Sequence, residues 1–165
     1  MNNKKLWCFA VLVVAIATLV LWVPVRKTIE ITGENGESYR LLASPGDIFT
    51  IAYTHSMYHV NQKEIYQIRE KDFLHQTMFF GDMQAAAYYD SFSRYELIKQ
   101  ADGSATIKNI GTPYTMLCFA VGHGTSYSFT VDNKATVDVN QIFPHSSRLI
   151  LQIKNASLLD YLIEG

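Results

Sequence analysis

Between Ile48 and Ile68 the chain reads IFTIAYTHSMYHVNQKEIYQI, two runs of alternating apolar and polar residues around a polar break at Tyr58-His59-Val60-Asn61. A period of two belongs to a strand, because successive side chains leave the backbone on opposite faces. The stretch therefore folds as a hairpin, and a slip of one residue would turn its whole core row to solvent. Pairing like with like sets Ile51 against Ile68 and Tyr53 against Tyr66, which brings His55 opposite Glu64. Thr54, Ser56, Lys63 and Ile65 fall on the other face.

The same period recurs downstream, with turn residues in between. Ile31 pairs with Tyr39 and Ile29 with Leu41 around Glu34-Asn35-Gly36, and Ser44-Pro45-Gly46-Asp47 turns the chain into the central hairpin. Phe73 to Phe80 is another strand. Gly81 to Asp90 reads as a packed loop or a turn or two of helix. Tyr95 to Lys99 and Ala105 to Asn109 form a hairpin about Asp102-Gly103. Tyr114 to Val121 is almost continuously apolar, the pattern of a central strand covered on both faces. Val131 with Ala135, Phe129 with Val137 and Tyr127 with Val139 make a hairpin around Asp132-Asn133-Lys134, and Arg148 to Lys154 is the last strand. The expected fold is all-β, an antiparallel β-sandwich or partly open barrel of roughly ten short strands, with one transmembrane helix before it.

That helix is the other organising feature. Leu6 to Val25 carries no charged residue, Trp7 and Trp22 lie near its ends, and Lys4, Lys5, Arg26 and Lys27 flank it. About twenty such residues cross a bilayer core, so residues 1–27 are read as an uncleaved signal-anchor and 28–165 as the outer domain. Ala15-Ile16-Ala17 offers a signal-peptidase alternative, but cleavage there would leave Thr18 to Val25 as an apolar new terminus. The short amino-terminal tail stays inside, which makes the protein a single-pass cell-membrane protein with its carboxy-terminal domain outside the cytoplasm. Removing the four flanking bases from the fourteen Lys and Arg leaves ten against fifteen Asp and Glu. Such an acidic surface excludes nucleic acid as a partner, and the bilayer is met through residues 6–25.

Chemistry-bearing residues are sparse. Cys8 and Cys118 cannot meet, and Cys118, in an apolar run, is expected to be a buried small residue. A hydrolase would use Ser56, yet adjacent strand residues point to opposite faces, so His55 is badly placed as its base. No Gly-x-Ser-x-Gly elbow, phosphate-cradling loop or cofactor motif occurs, and no cofactor is expected. His55 and His59 would stand some 13 Å apart on a strand, too far for one ion. A metal site would have to combine His55 and Glu64 with His75 or His123. The ligand-contacting set is His55, Ser56, Glu64, Tyr53 and Tyr66, with Tyr88, Tyr89 and Tyr95 as further aromatic wall.

The anchor, the Tyr53-Thr54-His55-Ser56 run, Glu64 nine residues after the histidine, and the Phe129 to Val139 hairpin followed by Leu149 to Ile153 resemble a known family. It is the bacterial and archaeal domain-of-unknown-function family 1850, often encoded beside TAXI-type TRAP solute transporters. The resemblance covers about Asp47 to Lys154. It departs at Gly81-Asp82-Met83-Gln84, where members carry a more glycine-rich turn. What it implies is an association with transport, and it supplies no chemistry; the preferred reading is an accessory domain without catalytic activity, in protein contact with a TRAP membrane or solute-binding subunit. A module binding a small solute or a metal ion through His55 and Glu64 is the alternative.

Overall fold

The computed structural model describes residues 7, 11–16, 18–19, 24–87, 89, 95–122, 125–132, 135–157 and 159. The chain is mostly antiparallel β structure in two sheets that pack as a sandwich. The smaller sheet has four strands: β1 (Pro24–Gly33), β2 (Ser38–Ala43), β9 (Met116–Ala120) and β12 (Arg148–Ser157), in the order β2-β1-β12-β9. The larger begins with β3 (Ile48–Thr54), β4 (Asn61–Ile68) and β5 (Phe73–Phe80). It continues through β6 (Glu96–Lys99), β7 (Ala105–Lys108), β10 (Tyr127–Val131) and β11 (Ala135–Asp138). Their order is β11-β10-β3-β4-β5-β7-β6, and β8 (Thr112–Tyr114) pairs with β5 beside them.

Alternation fixes which rows meet. Ile29 and Ile31 of β1 and Leu149 and Leu151 of β12 are fully buried and face Phe49, Ile51 and Phe129 of the other sheet. The Phe49 ring lies 5.8 Å from Phe73 and 5.7 Å from Phe129, in tilted contacts that suit aromatic quadrupoles. A second, smaller cluster holds Met78, Phe80, Ala85, Ala86, Ala105 and Ile107 under the one-turn helix Met83–Ala87. Four strands at about 4.8 Å spacing cannot cover a sheet nearly twice as wide. The far end of the larger sheet is closed instead by that helix together with Tyr89 and Tyr95.

Several expectations hold. Ile31 faces Tyr39, Ile29 faces Leu41, Val131 faces Ala135 and Phe129 faces Val137. The hairpin about Gly103 forms with that residue at φ 87°, a conformation that suits glycine. Four expectations need correcting. First, Glu64 lies opposite Ile51, and Tyr66 opposite Phe49, so His55 and Glu64 are not a cross-strand pair. The strands part after Thr54 and Asn61, because the His55 N–H donates to Val60 O (2.8 Å) and closes the loop earlier than like-with-like matching demands.

Second, Tyr114 to Val121 is two strands. The chain leaves the larger sheet after Tyr114 and joins the smaller one at Met116, where β9 is an edge strand with its outer face in solvent. Cys118 is consequently exposed, with Arg148 Nε donating to its Sγ at 3.0 Å. Third, Tyr127 does not pair with Val139, since Asp138 accepts from Asn140 N (2.9 Å) and caps a helical turn at Val139–Ile142. Fourth, Pro24 and Val25, placed in the anchor helix by the sequence, begin β1 against Ser157 and its neighbours. The rest of the anchor lies largely outside the described residues, among which no helix is long and apolar enough to cross a membrane.

Candidate functional site

The inner face of β4 carries Gln62, Glu64 and Tyr66, one row by the two-residue period, all buried. β5 runs beside it with an irregularity: Ile65 pairs with Thr77 but Tyr66 with His75, so Gln76 is an extra residue on β5. A bulge of this kind resets the phase of a strand. Phe73 and His75 point inward before it, and Met78 and Phe80 point inward after it. The reset sets the His75 ring on Tyr66, with centroids 4.5 Å apart and planes 22° from parallel. Without the bulge, one of the two inward pairs would face solvent.

Both carboxylate oxygens of Glu64 are taken by phenols. Tyr53 OH donates to Oε1 (2.8 Å) and Tyr66 OH to Oε2 (2.5 Å). Burial first, and the neighbouring Glu64 charge second, push both phenols far above the ordinary tyrosine range. They therefore remain proton donors at any ordinary pH. Glu64 forms no ion pair with the described residues. Two other buried polar atoms of the region lack a partner among the described residues: His75 Nε2 and Gln62 Oε1. The Thr77 backbone favours a proton on the His75 ring. In the neutral tautomer with that proton on Nδ1, the unpartnered Nε2 would present its lone pair as an acceptor.

Glu64, Tyr66 and His75 line a cavity of about 430 Å³ at the seam between the two core clusters, with Tyr53 and Gln62 behind its wall. Glu64, Tyr66, His75 and Met78 form one wall. The smaller sheet contributes Leu117 and Phe119, both on the inward side of β9. Tyr89, Tyr95 and Tyr114 complete it, Tyr114 meeting Tyr66 edge-on at 6.4 Å. Of the residues lining the cavity, Glu64 alone is charged. The crossover at Thr115, where the chain changes sheets, is what brings Tyr114 and Leu117 to the same cavity from opposite layers.

The sequence-derived residues divide into two places. Glu64 and Tyr66 are at the cavity, and Tyr53 supports it from behind through its bond to Glu64 and its stack on Tyr127 (5.2 Å, 17°). His55 sits in the loop closing the hairpin, where its Nδ1 accepts from the N–H groups of Met57 (3.2 Å) and Tyr58 (3.4 Å). Ser56 is exposed on that loop. His75, first raised as a metal ligand, is at the cavity wall, and His123 and Tyr88 lie outside the described residues. Among the described residues no group of three His, Cys, Asp or Glu could hold a metal ion. Tyr114, Leu117 and Phe119 were missed as site residues, because an apolar run read as one buried strand hides the change of sheet. The break of alternation in Phe73 to Phe80 was the signal that could have revealed the bulge at Gln76. Comparison of the chain with protein-family models, curated proteins and solved structures finds no match.

Proposed function

We propose that this protein is a binding module for a small organic molecule, held in the cavity between its two sheets. The observation that supports this reading is the cavity itself: about 430 Å³, walled by aromatic and aliphatic side chains, with a few polar groups converging on it. Pockets for small ligands run from about 300 to 1,000 Å³ and have this composition. A metal ion is a poorer fit, since Glu64 already has a phenol on each oxygen. The setting expected from the family resemblance belongs to the same proposal. A membrane-tethered extracytoplasmic domain beside a TRAP-type solute transporter would work where small solutes arrive, and the cavity gives it something to do besides protein contact.

Thermal unfolding of the full-length chain in mild detergent, with a panel of aromatic amines, alcohols and carboxylates, tests the binding reading. At a ligand concentration of about 100 Kd, native-state binding adds roughly 2.7 kcal/mol and raises the midpoint by several degrees. At least one class should do so in the wild type and not in Ile110→Trp, whose indole would fill the cavity from a half-buried position on its edge. A panel that leaves the midpoint unmoved, or moves it equally in the filled variant, would refute the proposal. Co-purification of a TRAP subunit with the full-length chain tests the setting separately.

A further inference from the structure

We propose that the ligand is a small organic cation bearing N–H donors, of the class of aromatic or alkyl primary amines, and that the Glu64 carboxylate is its counter-ion. This inference rests on the binding reading above and names its ligand class. It starts from an imbalance. A buried carboxylate stays in a protein interior when a positive charge or a full set of donors compensates it. Glu64 is 9% exposed, and phenols supply one donor to each oxygen, while each oxygen has two lone pairs. The phenols cannot neutralise it, because their own protons are held all the more firmly by burial beside that charge.

The neighbouring polar atoms share the same deficit. His75, 6% exposed, lines the cavity and has a buried Nε2 that no described residue satisfies. Gln62, fully buried in the same row as Glu64, spends its Nε2 on Tyr89 OH (3.0 Å) and leaves Oε1 unpaired. Whichever way that amide is turned, one of its polar atoms is unmatched. Glu64 is thus the one carboxylate of the cavity lining, with a lone pair left over on each oxygen, the complement of an ammonium group and the opposite of a carboxylate or phosphate. Tyr66, Tyr89, Tyr95 and Tyr114 add the negative faces of aromatic rings, which attract cations further. Met78, Ile107, Leu117 and Phe119 give the ligand's carbon skeleton an apolar place to lie.

The other candidate of note, the exposed Cys118 beside Arg148, borders the same cavity and is a single thiol with nothing further to indicate a ligand of its own.

Three probes that share a skeleton isolate the charge: tyramine, tyrosol, in which a hydroxyl replaces the ammonium, and 4-hydroxyphenylacetate. Calorimetric titration of the full-length protein should rank tyramine at least about tenfold tighter than tyrosol, with 4-hydroxyphenylacetate weakest. Glu64→Gln, which keeps the shape and the acceptor toward one tyrosine, should bring tyramine down to the affinity of tyrosol; circular dichroism confirms its fold. Should that variant not fold, the ranking of the three probes on the wild type decides alone. Tyrosol or the carboxylate binding as tightly as tyramine would overturn the cation and leave the pocket standing. No binding of any probe would overturn the cation as well, and would take the pocket with it only if the wider panel also failed to raise the unfolding midpoint.

Discussion

His75 shows how one residue ties stability to the site. Burial lowers its pKa from the ordinary 6.5, and the Glu64 charge, though it pulls the other way, does not overcome that. The unfolded chain therefore takes up the proton near pH 6.5, and the folded chain only at lower pH. Between those values the unfolded state binds more protons, so stability is full above pH 6.5 and falls as the pH drops below it. His75→Phe keeps the stack on Tyr66 and removes the titration. Between about pH 7.5 and about pH 5.5, its unfolding midpoint should fall less than that of the wild type, and equal slopes would show that the imidazole is not held neutral. Glu64 and Tyr66 were legible as site residues because alternation alone puts them in one row with Tyr53. His75 was legible only as a histidine, since its inward direction depends on a bulge that shows in the sequence only as the broken alternation of Phe73 to Phe80.

At the scale of elements, the register of the central hairpin is set at both of its ends. Near the start of β3, Ile48 N–H donates to Asp132 Oδ1 (2.7 Å), and Asp132 N–H donates to Ile48 O (2.8 Å). At the other end His55 caps the loop amides. Asp132 adopts φ 48°, a left-handed conformation that Asp tolerates better than most side chains. Asp132→Ala loses the carboxylate and keeps the strained φ, which should cost about 1 to 3 kcal/mol in urea unfolding with an unchanged m value. Asp132→Asn should recover most of that, and a variant with alanine as stable as the wild type would mean that this tie does not hold β3. Pairing like with like had the faces of the hairpin right and its partners wrong. Shifting the pairing by four residues, an even number, preserves which side chains point inward, so hydrophobic pattern cannot distinguish the two registers. Loop hydrogen bonds can, and those were not legible in Tyr58-His59-Val60-Asn61.

For the whole molecule, the site follows from two sheets of unequal width. The wide sheet needs a second cover beyond the edge strand β9, and the short helix at Met83–Ala87 with Tyr89 and Tyr95 supplies it, leaving a seam where the two covers meet. Antiparallel strands in a sandwich or partly open barrel were readable from alternation and turns, but the division into two sheets and which strand joins which were not, and the cavity depends on that assignment. The most direct test of an amine seated at this seam is the 15N spectrum of histidine-labelled protein as tyramine is added. The His75 Nε2 resonance should move upfield as its lone pair accepts a hydrogen bond, while the His55 resonances, out on the hairpin loop, stay where they were. A His75 signal that does not move at saturating tyramine, or a response at His55 in its place, would contradict the account.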